Sequence, residues 1–131
     1  MNFRRNDFDV TNRINTTDPV CVKLEVARIH RALYDRPDSS ALLQAFDDLV
    51  RLYRGEYPGY LPCDTAYHDL QHTLEVTLAM ARLVDGYERT RGNCAAMSEK
   101  LFILGVICAL YHDCGYIRRR GDKRQIGRAH V

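Results

Sequence analysis

The chain lacks the marks of several protein classes. Its five cysteines (Cys21, Cys63, Cys94, Cys108 and Cys114) are odd in number and include no CxxC pair. That suits neither a disulfide framework nor a thiolate zinc site, so reduced, structural thiols are expected. The longest apolar run, Leu101 to Tyr111, is too short for a membrane helix, which needs about 20 residues. No apolar stretch follows Arg4 and Arg5, so no secretory signal is readable and a cytoplasmic location is the default expectation. A net charge of +2 argues against nucleic acid as a partner. No strand-period run and no internal repeat occurs anywhere.

What is present fits one small domain. The 131 residues are 46% hydrophobic and 27% charged, a globular composition that can bury about two-thirds of the unfolded surface. Residues 1–19 are polar and read as an N-terminal arm, with the helical domain over 20–131. Val22, Val26, Ile29 and Leu33 recur at helical steps behind Asp18 and Pro19, which predicts a helix over 20–35. A second helix is predicted over 39–54, with Asp38 as N-cap and Leu42, Leu43, Phe46, Leu49, Val50 and Tyr53 on one face. The segment GEYPGYLP breaks it. A third helix is predicted over 65–87, and a fourth from Ser98, its N-cap, to Asp113, with Gly115 placed to stop it. The expected fold is all-α, a bundle of about four main helices.

Two of these helices carry the chemistry. The third opens with YHDLQHTLEV, and on a helix His68 and His72 would project from the same face one turn apart. Taken alone, such a pair is also what an ordinary helix can carry. The fourth delivers His112 and Asp113 behind eleven nearly unbroken apolar residues. The simplest reading is that they lie just past the buried part and cap the helix end, but an aspartate at a helix C-terminus faces the negative end of the dipole. A bound cation would turn that penalty into a gain. Antiparallel packing of the two helices would bring His72, His112 and Asp113 within reach of one ion, and ligands without thiolate suit Zn, Fe, Mn, Ni or, less well, Mg. After the pair, Arg118, Arg119, Arg120, Lys123, Arg124 and Arg128 face one acid, Asp122, a local field able to attract phosphate.

The motifs YHDLQHTLEV and ALYHDCGY resemble those of the HD-domain superfamily of metal-dependent phosphohydrolases, and most of all its cyclic-nucleotide phosphodiesterase branch. The resemblance covers roughly residues 65–116. It implies that His72, His112 and Asp113 hold one or two divalent ions, Asp113 bridging them if there are two. It implies too that His68 protonates the leaving oxygen while metal-activated water attacks a phosphoester, with a small phosphorylated substrate such as a nucleotide. Arg118, Arg119 or Lys123 would then hold the substrate phosphate.

The chain also departs from that pattern. Asp69 stands where the branch has asparagine, and Tyr116 and Ile117 take the place of a histidine after the HD pair. The family's second aspartate ligand lies on a later helix, whereas only eighteen residues follow Asp113, among which Asp122 is the one acid. A shortened form of a longer HD protein, resembling the N-terminal part of the domain, is therefore expected. Apolar faces left uncovered on the third and fourth helices predict a homo-oligomer, a dimer of helical bundles. The alternatives are a non-catalytic HD-like module that binds metal, nucleotide or a partner chain, and a helical interaction domain in which the two motifs are accidental.

Overall fold

A computed structural model describes residues 6–121. Each helix begins at a capping residue legible in the chain. The Asp18 carboxylate accepts the Val20 amide (2.9 Å) and Pro19 sets the first φ of α1 (Pro19–Leu33). The Asp38 carboxylate accepts the Ser40 amide (3.0 Å) at the start of α2 (Ser40–Tyr53), although Ser39 holds the N-cap position. Asp69 accepts the His72 amide (2.9 Å) at the start of α3 (Leu70–Thr90), and Ser98 the Leu101 amide (3.2 Å) at the start of α4 (Glu99–Tyr111). A 3-10 turn, Cys114–Tyr116, follows. Among the described residues no strand forms; two isolated bridges, Phe8 with Asn15 and Tyr60 with Arg119, are the only extended pairings.

The four helices form an all-α bundle in which α3 packs on α4 and α1, and α2 packs on α4 and α1. Their apolar faces meet in one core: Val22, Val26 and Ile29 of α1, Leu42, Phe46 and Leu49 of α2, Leu74 and Leu78 of α3, and Phe102, Val106 and Leu110 of α4. Full burial of Phe46 and Phe102 contributes roughly 2–3 kcal/mol each. Gly105 of α4 faces the Met80 side chain of α3, and a Cβ there would meet the sulfur at 3.4 Å, an ordinary contact. His30 is also wholly buried: its Nδ1 faces the Ser39 hydroxyl (2.8 Å), its Nε2 the Glu99 carboxylate (3.0 Å), and its ring stacks on Phe102. It joins α1, α2 and α4 in the core.

Two expectations are corrected. The third helix starts at Leu70, not Thr65, because the Asp69 side chain takes the N-cap role and leaves His68 just outside the helix. Gly115 does not stop α4, which ends at Tyr111 two residues before Asp113; the glycine lies inside the following 3-10 turn. The described part of the N-terminal arm is anchored to the bundle: Asp9 pairs with Arg82, and Thr16 bonds Glu75 and Gln71, all three on α3.

Between α2 and α3 the chain folds back on α2, the Cys63 amide donating to the Tyr53 carbonyl (2.8 Å). Gly55 is required there, since its φ is +75° and a Cβ would lie 2.7 Å from Pro62. The loop then pairs with the segment after Asp113: the Leu61 amide donates to the Arg118 carbonyl (2.9 Å) and the Arg120 amide to Gly59 (2.8 Å). No helix among the described residues is long and apolar enough to cross a membrane.

Candidate metal centre

The antiparallel α3–α4 hairpin sets the start of α3 beside the end of α4, and the loop pairing holds the residues before α3 against those after α4. Four polar side chains meet there. His68 precedes α3, His72 lies in its first turn, His112 caps α4 and Asp113 follows it. All three rings face one oxygen, Oδ2 of Asp113: His68 Nδ1 at 2.8 Å, His112 Nε2 at 3.0 Å and His72 Nε2 at 3.3 Å. The carboxylate is only 13% exposed, while each imidazole is a third or more open to solvent.

One ring shows what the arrangement needs. His112 Nδ1 lies 2.6 Å from the Ala109 carbonyl, which only accepts, so that nitrogen carries a proton and donates. The lone pair left on Nε2 then points at a carboxylate oxygen, which is repulsive unless a proton or a cation lies between them. A ring N–H given to a backbone carbonyl while the other nitrogen faces the site is also the usual outer-shell arrangement of a metal-ligating histidine. The His112 and His72 spacings fit the same explanation, since two ligands sharing an ion at bonds of about 2.1 Å and tetrahedral or octahedral angles stand roughly 3.0–3.4 Å apart, whereas His68 stands at a hydrogen-bond distance.

Three of the four offer a ligand atom each, those of His68, His72 and Asp113 all lying within 4.8 Å of one another. That His-His-Asp group can hold a metal ion. It differs from the set expected from the sequence, since it includes His68, expected as a proton donor, and not His112, expected as a ligand. Asp113, placed past the helix end, still has the negative end of α4 behind it, and a cation would relieve both.

The surroundings hold the group in place. Tyr116 stacks on His68, with ring centroids 4.4 Å apart and planes within 10°, and the Cys63 thiol approaches the His68 carbonyl. Below lies the buried Tyr53, whose hydroxyl accepts from Thr73 (3.3 Å). Burial pushes its pKa up to about 12 against the opposing Thr73 bond, with Cys63, Asp113 and Cys114 as further negative neighbours.

The basic residues after Asp113 are placed less suggestively. The Arg118 guanidinium is held by the Asp64 carboxylate, and Arg119 pairs through its backbone with Tyr60. Lys123 and Asp122 lie outside the described residues. Sequence reasoning missed His30, although it sits on the apolar face of α1 one turn after Val26, and it gave Tyr116 no role in the site. No family model, curated protein or solved structure matches the chain.

Proposed function

We propose that this protein is a metal-dependent phosphohydrolase of the HD type, acting on a nucleotide or other phosphoester. The observation that carries the reading is the convergence of three imidazoles on one oxygen of Asp113, two of them at spacings a shared divalent ion accounts for. The two motifs that resemble the HD superfamily are the segments that supply these residues, and the four-helix bundle is compatible with the N-terminal part of such a domain.

In this reading Asp113 and His72 hold the ion, with His112 or His68 completing the set. When bound, the ion supplies Lewis acidity toward phosphoryl oxygens and lowers the pKa of a coordinated water toward neutrality. His68 accounts for both roles open to it. With Nδ1 turned to Asp113 it can add a ligand; with a proton on Nδ1 donated to Asp113, its Nε2 can carry a proton to a leaving oxygen. Tyr116 keeps the ring in the plane either role needs.

A second reading, a metal-binding module without turnover, is favoured by two observations. The cluster holds a single carboxylate among the described residues, and the Arg118 guanidinium is engaged by Asp64 rather than open to a phosphate. Elemental analysis beside hydrolysis of bis(p-nitrophenyl) phosphate separates the readings. A hydrolase is expected to carry about one or two equivalents of transition metal and to lose at least about 100-fold in turnover on Asp113→Asn or His72→Ala. Bound metal with background turnover would establish the module instead. A metal-free protein indifferent to both substitutions would remove both readings.

A further inference from the structure

The loop after α2 contains the sequence YPGY, a turn written into the chain. Pro58 suits its second position, Gly59 takes the third with a φ of +85°, and the Tyr60 amide closes it on the Tyr57 carbonyl (3.2 Å). Such a turn sets the residues at its two ends side by side. The rings of Tyr57 and Tyr60 accordingly stand 6.0 Å apart with planes at 66°, two walls meeting at an angle. On α2, Asp48 and Leu52 lie one turn apart on one face. Tyr111, the last residue of α4, is fixed by its hydroxyl, which donates to the Ala45 carbonyl (3.0 Å). These five residues and Cys114 line a cavity of about 280 Å³. The bonds from Leu61 to Arg118 and from Arg120 to Gly59 hold the turn in place beside it.

The lining is aromatic on three sides and includes no Lys, Arg or His, so Asp48 supplies its one full charge. That carboxylate accepts from the Gln44 amide (2.9 Å) and pairs with no cation among the described residues. Outside the cavity the Arg51 guanidinium lies over the Tyr57 ring, 5.6 Å from its centroid, so one cation already rests on this aromatic wall. Ring faces and an unpaired carboxylate together favour a cation, and the walls decide which kind. A metal ion or a primary ammonium holds its water tightly, and the ring faces give it few oxygens in exchange. A quaternary ammonium has no N–H to satisfy and presents only methyl groups, which aromatic faces attract. The volume lies at the small end for ligand pockets, which run from about 300 to 1,000 Å³. We propose that this cavity binds a quaternary ammonium group carried by a small molecule, with Tyr57, Tyr60 and Tyr111 as its walls and Asp48 as its counter-charge.

Titration calorimetry with choline tests this, and because choline carries no phosphoester the result stands apart from any hydrolysis at the metal centre. Choline is expected to bind at about 1 mM or more tightly, and its neutral isostere, with a tert-butyl group in place of the trimethylammonium, at least about tenfold more weakly. Tyr57→Leu and Asp48→Asn should each weaken choline by about tenfold. Tyr57 is 40% exposed and Asp48 half-buried, so helicity by circular dichroism should not change. Tyr57→Phe keeps the ring and should bind as the wild type does. If Tyr57→Leu loses helicity, the neutral isostere and Asp48→Asn carry the test. A trimethyllysine peptide separates a small-molecule source from a modified protein, and it should bind no more tightly than choline. The proposal would be overturned by no binding of choline up to about 10 mM, by equal binding of the neutral isostere, by indifference to Tyr57→Leu and Asp48→Asn, or by a peptide that binds at least about tenfold more tightly than choline.

Discussion

The molecule holds histidine in two opposite ways. His30 is wholly buried, and each ring nitrogen has its own partner, the Ser39 hydroxyl on one side and the Glu99 carboxylate on the other. His68, His72 and His112 are partly open to solvent and crowd round a single oxygen. The ionised Glu99 can only accept, so it fixes the proton on His30 Nε2 and leaves Nδ1 to accept from Ser39: three groups, two hydrogen bonds and nothing missing. The second cluster does not balance with neutral rings, since once His112 Nδ1 serves Ala109 its Nε2 needs an added proton or a cation between it and Asp113. Burial is thus a poor guide to which histidine carries function. The better guide is whether donors and acceptors balance with neutral rings, without a further proton or ion.

The largest effect that would break this contrast is expected from His30→Ala. It removes a wholly buried ring stacked on Phe102 and unties Ser39 from the part-exposed Glu99, a loss of about 3 kcal/mol in urea denaturation that comes chiefly from the cavity. The folded fraction should bind metal as the wild type does. A His30→Ala protein of unchanged stability would show that the buried network is incidental, and one that loses metal while folded would erase the distinction between the clusters.

Local features of this fold were legible in the sequence, and long-range ones were not. Asp18 and Ser98 are read correctly as caps because a cap is settled within three or four residues. The faces of α1 and α2 follow from periodicity, and the buried Val22, Val26, Leu42, Phe46 and Leu49 fall on it. The residues of the candidate site were visible because they sit in two compact motifs. Their distribution round Asp113 was not: the assumption that His68 is helical fails on the competing role of Asp69, a capping aspartate inside the motif itself. The contacts of His30 with Glu99 and of Asp9 with Arg82 span 69 and 73 residues, and a polar side chain matched that far away leaves no local pattern.

Asp9 sharpens the comparison from the carboxylate side. Like Asp113 it is little exposed and gathers several polar neighbours, but here every neighbour brings its own hydrogen: the Thr11 hydroxyl, the Arg13 and Ile14 amides and the Arg82 guanidinium. Burial by itself would raise its pKa; the Thr11, Ile14, Arg82 and Arg13 bonds together outweigh that and hold the carboxyl far below the usual range. A depressed folded pKa means that the stabilisation is complete above the unfolded value near 4 and is lost as the pH falls below it. Asp9→Ala should therefore cost about 2 kcal/mol at neutral pH, and the stabilities of variant and wild type should converge on acidification from pH 5 to pH 2. Chelator should leave that difference untouched. Parallel curves over the whole range would mean that the carboxylate is not what anchors residues 6–18 to α3.

The smallest expected effect lies at Tyr116, where the two kinds of histidine share one device. His30 is held by stacking on Phe102, and His68 by stacking on Tyr116, in both cases with nearly parallel rings. The first stack is sealed in the core and the second is half open, so its loss should be felt in orientation more than in stability. Tyr116→Leu should cost about 1 kcal/mol or less in folding, and should weaken cobalt binding, followed by its visible absorption, by up to about tenfold because His68 can turn away from Asp113. Tyr116→Phe keeps the stack and should match the wild type in both measurements. If Phe and Leu weaken the ion equally, the phenol oxygen rather than the ring is the contributing group, and the parallel with His30 ends there.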